Sequence, residues 1–127
     1  MPYKILVCED NEINIRLFAD ILEYHGFAVF LADNGEVGLK IARQIKPDLI
    51  LMDMQMPVLN GFEAIKRIRS DPELRHIKII AVTSYAMETD KERIMATGAD
   101  HYVSKPINIR ELPVLIKDVI EGRSKAL

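Results

Sequence analysis

The sequence predicts an α/β fold in which a parallel sheet of five strands is doubly wound, with helices on both faces. Five short apolar runs alternate with five segments of helical periodicity along 127 residues, and such alternation is typical of parallel sheets with crossover helices. The runs are nearly continuous in apolar residues, as expected of strands that are buried on both faces. The length fits one domain with a proper core and is too short for two.

The first half of the chain is expected to contain three strands and two helices. The first helix follows the pattern of residues 13–25, and Gly26 then caps its C-terminus. The second helix begins after Asn34, a good N-cap residue, and ends before Pro47. The three apolar runs that we assign to strands are residues 3–8, 28–32 and 48–53.

The second half is expected to alternate in the same way. A third helix covers residues 61–70, a fourth strand 77–83, a fourth helix 87–97 and a fifth, more polar strand 100–104. The last helix is expected to start near Asn108, with Glu111 completing a variant of the capping box. With that start, Pro113 would cost one early helical hydrogen bond.

Composition excludes several classes of function. The net charge is −2 and no basic patch stands out, so we expect no direct nucleic-acid partner. No apolar run approaches the roughly 20 residues of a membrane span, so no membrane association is expected. Cys8 is the one cysteine, which rules out an internal disulfide and suits a reducing cytoplasm. His25, His76 and His101 lack metal-ligand spacing and are expected on the surface or partly packed.

Chemically active residue types follow four of the five predicted strands. Ligands of open α/β sheets bind outside the carboxyl ends of the strands, and these side chains should meet there. Close carboxylates raise one another's pKa unless a cation neutralises them, and a hard divalent ion such as Mg²⁺ prefers oxygen ligands. An aspartate can also act as a nucleophile and carry a phosphoryl group. The residues are Glu9 and Asp10, Asp53, Thr83 and Ser84, and Ser104 and Lys105.

Four motifs give the chain a family resemblance over nearly its whole length. They are ILVCEDN, PDLILMDMQMPVLNG, IIAVTSYAM and GADHYVSKP. With them the chain resembles the receiver domains of two-component response regulators, and in particular the stand-alone regulators of the cell-division type. The resemblance implies a flavodoxin-like (βα)5 fold with strand order 2-1-3-4-5. It also implies a receiver domain over residues 1–123, a short polar tail at 124–127 and no output domain.

The resemblance implies a phosphoacceptor and a metal site. Asp53 would accept a phosphoryl group from a phosphohistidine. Asp10 would hold Mg²⁺, or Mn²⁺, directly and Glu9 would do so through water. Asp53 itself and the backbone carbonyl of Gln55 would complete the protein ligands.

Further roles are implied by the same resemblance. Thr83 and Lys105 would bind the phosphoryl oxygens, and Thr83 together with Tyr102 would form the conformational switch. The bond from Lys105 to Pro106 would be cis. Tyr85, two residues after Thr83, would shield the phosphoryl group from water and prolong its lifetime.

The implied protein is a cytoplasmic signalling protein and not an enzyme, although it would assist its own Mg-dependent phosphorylation and dephosphorylation. Its partners would be a sensor histidine kinase or histidine phosphotransfer protein and a downstream protein target, with the chain itself a monomer or weak dimer. The alternative is a receiver-fold interaction module that takes no phosphate. A phosphatase of the haloacid-dehalogenase type would need a second aspartate where Gln55 stands, and P-loop and dinucleotide motifs do not occur.

Overall fold

The computed structural model describes residues 2–84 and 87–123. Strands and helices alternate throughout, in the order predicted from the apolar runs. The polar tail predicted at 124–127 lies outside the described residues. The elements are β1 (Lys4–Cys8), α1 (Glu12–Tyr24), β2 (Ala28–Ala32), α2 (Gly35–Ile45), β3 (Leu49–Asp53), α3 (Gly61–Ser70), β4 (Lys78–Thr83), α4 (Glu88–Ala96), β5 (His101–Ser104) and α5 (Leu112–Ile120).

The five strands form one parallel sheet in the order β2-β1-β3-β4-β5. This order confirms the predicted topology. The pairing sets Asp53 beside Val82 and Thr83 beside Ser104. The carboxyl ends of β3, β4 and β5 therefore lie side by side along one edge of the sheet.

The sheet divides the core into two apolar clusters. The first contains Ile50, Met52 and Ile79 of the sheet together with residues of α2, α3 and α4. The second contains Leu51 and Ile80 together with residues of α1 and α5. Every residue of β3 is buried, as expected of a strand covered on both faces, whereas the edge strand β2 is mostly half-buried.

Asparagine caps fix the starts of the first three helices. The side-chain oxygens of Asn11, Asn34 and Asn60 accept hydrogen bonds from the third backbone N–H of α1, α2 and α3, each at 3.0 Å. These caps satisfy N–H groups that have no partner within the helix. Met87 precedes α4 and makes no such bond.

The last helix starts four residues later than predicted. It begins at Leu112, whereas Asn108 caps a preceding turn by accepting from the backbone N–H groups of Arg110 and Glu111 at 3.0 and 3.3 Å. Pro113 thus falls in the first turn, where its missing N–H costs no helical hydrogen bond. The prediction was wrong because Asn108 does have capping chemistry, but it applies that chemistry to a turn.

Cys8 and His101 are buried titratable side chains of the sheet. Burial raises the pKa of the Cys8 thiol to about 12. His101 was expected on the surface or partly packed, but only 7% of it is exposed. Among the helices of the described residues, none has both the length and the apolar character needed to cross a membrane.

Candidate functional site

The predicted site residues meet at the carboxyl edge of the sheet. Glu9 and Asp10 follow β1, and Asp53 is the last residue of β3. Thr83 ends β4, and Lys105 follows β5. The backbone N–H of Lys105 donates to the carbonyl of Thr83 at 2.7 Å, which continues the β4–β5 pairing past the end of the strand and fixes the start of the next loop.

Three carboxylates form an acidic cluster at the centre of this edge. Oxygens of Glu9, Asp10 and Asp53 all lie within 4.8 Å of one another. Glu9 and Asp53 are each only 1% exposed, whereas Asp10 is open to solvent. Two buried acids and one exposed acid therefore surround a cleft that solutes can reach from the Asp10 side.

Lys105 places a positive charge against the two buried acids. Its Nζ lies 3.2 Å from Asp53 Oδ2, to which it donates a hydrogen bond, and 3.2 Å from Glu9 Oε1. Burial of the ammonium acts to lower its pKa, but the carboxylates of Asp53 and Glu9 outweigh burial and raise the pKa of Lys105. The side chain is therefore held as a cation beside Asp53.

The ionisation of Glu9 is perturbed by its surroundings. Burial raises its pKa to about 7, and the neighbouring Asp53 acts in the same direction. Two groups lower the pKa of Glu9 but only partly offset this rise. They are the N–H of Asn11, which donates to Glu9 Oε2 at 3.2 Å, and the charge of Lys105. One lysine does not neutralise the cluster, so the site favours additional positive charge.

The acidic cluster fits a hard divalent cation. All three members offer carboxylate oxygens, the ligand type that Mg²⁺ prefers. Within the described part of the chain, Glu9 Oε1 is buried and has no hydrogen-bond partner apart from its ion pair with Lys105 Nζ at 3.2 Å. A buried oxygen without a hydrogen bond is costly, and a cation or its bound water would satisfy it.

The end of β4 is joined to the loop after β3 by one side chain. Gln55 Nε2 donates to Thr83 Oγ1 at 3.4 Å, and Gln55 Oε1 accepts from the backbone N–H of Ser84 at 3.4 Å. The backbone N–H of Gln55 donates to Asp53 Oδ1 at 3.0 Å. This bridge was not predicted, because nothing in the sequence shows where a side chain on one loop meets the next strand.

The loop between β3 and α3 is held in a tight conformation beside the cluster. Val58 has a φ of 70°, and the N–H of Leu59 donates to the carbonyl of Pro57 at 2.8 Å. Leu59 is buried while Val58 is 79% exposed. A Cβ on Gly61 would lie 2.7 Å from the carbonyl oxygen of Asp53, so only glycine allows α3 to start this close to the acid.

The predicted switch residues lie on neighbouring strands. Tyr102 pairs with Ala81, two residues before Thr83, and is half-buried with its ring 5.6 Å from Lys91 Nζ. The peptide bond from Lys105 to Pro106 is cis, as predicted. Tyr85, to which the sequence assigned a shielding role, lies outside the described residues.

The fold and this site define a class of protein, and comparison with known proteins agrees. The family model described as response regulator receiver domain matches residues 5–117. The chain therefore belongs to the response regulator receiver family, the signalling proteins of two-component systems.

Within this family, the chain is similar to the DivK response regulators. The chain is 44% identical to the polar-differentiation response regulator DivK of Brucella anthropi over 120 residues, which cover 94% of this chain and 98% of that protein. It is 42% identical to DivK of Brucella ovis, with the same coverage.

Solved structures show the same fold. The receiver domain of the sensor histidine kinase PA1611 of Pseudomonas aeruginosa, which has a magnesium ion coordinated in its active-site cleft, superposes with a TM-score of 0.88 at 32% identity, covering 95% of this chain and 99% of that one. The chemotaxis protein CheY4 of Vibrio cholerae gives a TM-score of 0.88 at 27% identity, covering 94% and 99%.

Proposed function

We propose that this receiver accepts a phosphoryl group on Asp53 from a phosphohistidine and signals by contact with a protein target. The observation that carries the proposal is the buried carboxylate of Asp53 at a strand end, with Lys105 Nζ 3.2 Å from Oδ2 and the Gln55 N–H 3.0 Å from Oδ1. A rigid strand positions this nucleophile, and hydrogen-bond donors surround it.

In the proposed step an Asp53 carboxylate oxygen attacks the phosphorus atom of the donor. An oxygen–phosphorus bond forms, the nitrogen–phosphorus bond of the phosphohistidine breaks, and the imidazole leaves with its electron pair and takes up a proton. Phosphoryl transfer depends on positioning and on positive charge near the three equatorial oxygens. Lys105 supplies such a charge, and the Thr83 hydroxyl supplies a donor at the end of the neighbouring strand.

Mg²⁺, or Mn²⁺ in its place, is the cation proposed for the acidic cluster. Asp10 and Asp53 would bind it directly, Glu9 through water, and the backbone carbonyl of Gln55 would complete the protein ligands. The ion would neutralise carboxylate and phosphoryl charge, which otherwise repel each other. The three carboxylates within 4.8 Å of one another, with one lysine against them, support this assignment.

The partners follow from this chemistry. A sensor histidine kinase or a histidine phosphotransfer protein would supply the phosphoryl group, and a downstream protein would recognise the changed surface, with the chain itself a monomer or weak dimer. A cytoplasmic location suits the lone thiol of Cys8. The receiver would assist its own phosphorylation and dephosphorylation without acting on a separate substrate.

The test is phosphorylation with acetyl phosphate. In the presence of Mg²⁺, the wild-type protein should gain the mass of one phosphoryl group, and a chelator should abolish the gain. Asp53→Asn should gain none, whereas Asp48→Asn, which changes an acid at the opposite end of β3, should be labelled like wild type.

Two results would decide against the proposal. Unchanged labelling of Asp53→Asn would move the phosphoacceptor elsewhere. No labelling of wild type under any condition would favour the alternative, a receiver-fold interaction module that takes no phosphate.

A further inference from the structure

The side chain of Gln55 bonds two neighbouring groups at the end of β4. Its side-chain amide donates to Thr83 Oγ1 and accepts from the Ser84 N–H, both at 3.4 Å. Because one amide reaches both groups, they lie on the same side of the cleft. The side chain thus spans the gap between the loop after β3 and the end of β4.

One of these groups, the Ser84 N–H, is a donor that a phosphoryl group on Asp53 would use, since backbone N–H groups stabilise phosphoryl oxygens. Thr83 Oγ1 accepts from Gln55, so Gln55 does not take up the hydroxyl proton of Thr83. The backbone of Gln55 is itself anchored, since its N–H donates to Asp53 Oδ1 at 3.0 Å. A phosphoryl group on Asp53 and the side-chain oxygen of Gln55 would therefore compete for the Ser84 N–H, and the side chain of Gln55 can rotate away without breaking the bond to Asp53.

Resting on the function proposed above, we propose that the Gln55 side chain is a latch that opposes phosphorylation. In the unphosphorylated protein its side-chain oxygen accepts from the Ser84 N–H. A phosphoryl group on Asp53 displaces that oxygen and accepts from the Ser84 N–H in its place. The bonds are long, at the weak end of the hydrogen-bond range, so the latch biases the equilibrium and does not block it.

The displaced side chain has space to move into. A cleft with a volume of about 720 Å³ lies beside Gln55, which contributes to its wall. Asp10, Asn60, Asp90 and Arg93 also line this cleft and offer polar partners to an amide. Rotation about the Gln55 side-chain bonds therefore exchanges two long hydrogen bonds for others without burying an unsatisfied amide.

The test is the affinity of the protein for beryllofluoride, a phosphoryl mimic, in saturating Mg²⁺. Gln55→Leu keeps the size of the side chain and removes both hydrogen bonds, so it should bind beryllofluoride about two- to fivefold more tightly than wild type. Gln55→Ala should shift affinity in the same direction. Because beryllofluoride is not hydrolysed, any effect of Gln55 on water attack does not enter the measurement.

Gln44→Leu is the matched control. It makes the same chemical change at an exposed position of α2, away from the acidic cluster, and should bind like wild type. A second readout is the Ser84 amide proton. In the free protein, Gln55→Leu should expose it to faster solvent exchange, and with beryllofluoride bound the two proteins should converge.

The outcomes separate the two proposals. Equal or weaker beryllofluoride binding by both Gln55→Leu and Gln55→Ala overturns the latch, because Gln55 would then be neutral or would assist the bound group. An unchanged Ser84 amide in free Gln55→Leu overturns it as well. Failure of wild type to bind beryllofluoride would instead overturn the proposed function.

Discussion

Arg69 joins three segments at the sheet edge opposite the acidic cluster. Its Nε donates to the Gly98 carbonyl at 2.8 Å, and Nη1 donates to the carbonyls of Arg75 and Ile77 at 2.8 and 2.7 Å. Nη2 pairs with Asp100 Oδ2 at 2.9 Å. The planar fork of one guanidinium thus fixes the connections that lead into β4 and β5.

We expect Arg69→Lys to lower the free energy of unfolding by about 2–3 kcal/mol, since an ammonium cannot reach four acceptors in these directions. Urea denaturation measures this as a lower midpoint with an unchanged slope. Arg75→Lys is the control. The Arg75 side chain is exposed and makes no hydrogen bond or ion pair with other described residues, so the change should cost less than about 0.5 kcal/mol. If both substitutions lowered the free energy of unfolding equally, the proposed role of the Arg69 guanidinium would be contradicted.

His101 makes stability depend on pH in a defined direction. Burial lowers its pKa, and within the described residues its Nε2 has no hydrogen-bond partner. Below the unfolded-state pKa of about 6.5, the unfolded chain binds a proton that the folded chain resists. The folded state therefore loses stability as pH falls below about 6.5 and retains it above that value.

His101→Phe should remove this contribution. At pH 8 the free energy of unfolding of the variant should differ from that of wild type by less than about 1.5 kcal/mol. As pH falls to 5.5, wild type should lose more stability than the variant. Thermal unfolding between pH 5.5 and 8 measures it. The control is His76→Phe at an exposed histidine, whose stability should depend on pH as that of wild type does. If the stability of His101→Phe also fell with pH as in wild type, His101 would not be the source of the pH dependence.

At the scale of elements, α4 is the helix held least firmly. Met87 provides no side-chain cap, and Ile94 is the one buried residue of the helix. The first three helices, by contrast, each begin with an asparagine cap. Met87 has extended backbone angles suited to a cap residue and is 71% exposed, so a better capping side chain should fit there without disturbing packing.

We expect Met87→Ser to raise the free energy of unfolding by about 0.5–1 kcal/mol, because the serine hydroxyl would accept from a backbone N–H in the first turn of α4. Chemical denaturation measures the gain. Val114→Ser makes a comparable apolar-to-serine change at an exposed position inside α5, where no cap can form, and should give none. A Met87→Ser protein no more stable than wild type would show that α4 is limited by packing.

The elements divide into those that sequence reasoning locates and those that it does not. Strands such as β3 were located because an unbroken apolar run has few alternatives between turn signals. The start of α5 was misplaced because capping chemistry at Asn108 serves a turn as readily as a helix. The burial of His101 was missed because a short polar strand gives no sign of which face a neighbouring helix covers.

For the whole molecule, the convergence of site residues was predictable from topology. Once a parallel sheet is assigned, Glu9, Asp53, Thr83 and Lys105 must meet at one edge, whatever the details of the loops. Contacts that depend on side-chain reach were not predictable in this way. The bridge from Gln55 to Thr83 is one of these.

The same arrangement predicts that a change at Asp53 reaches the far strand of the sheet. Thr83 and Tyr102 lie on paired strands, and a phosphoryl group that draws the Thr83 hydroxyl inward leaves space for the Tyr102 ring. With beryllofluoride and Mg²⁺, nuclear magnetic resonance signals of the Tyr102 ring should shift. In Thr83→Ala they should stay in place although Asp53 still reacts. The Tyr24 ring, 83% exposed on α1, is an internal control.

If beryllofluoride shifted the resonance signals around Asp53 in wild type but left those of the Tyr102 ring unchanged, the proposed coupling from Asp53 through Thr83 to Tyr102 would be contradicted. Movement of the Tyr102 ring to the same extent in Thr83→Ala would show that the signal travels by another route. A partner can shift the equilibrium only through its different affinities for the two states, so we expect a target protein that responds to this change to contact the face that contains Tyr102.

The separation of the core into two clusters has a consequence for how the chain tolerates change. Ile68 belongs to the cluster on one face of the sheet and Ile116 to the cluster on the other, and both are fully buried. Side chains cannot rearrange through a layer of hydrogen-bonded backbone to fill a void on the opposite side. Losses of volume on the two faces should therefore be thermodynamically additive, and each face can accumulate substitutions without a compensating change on the other.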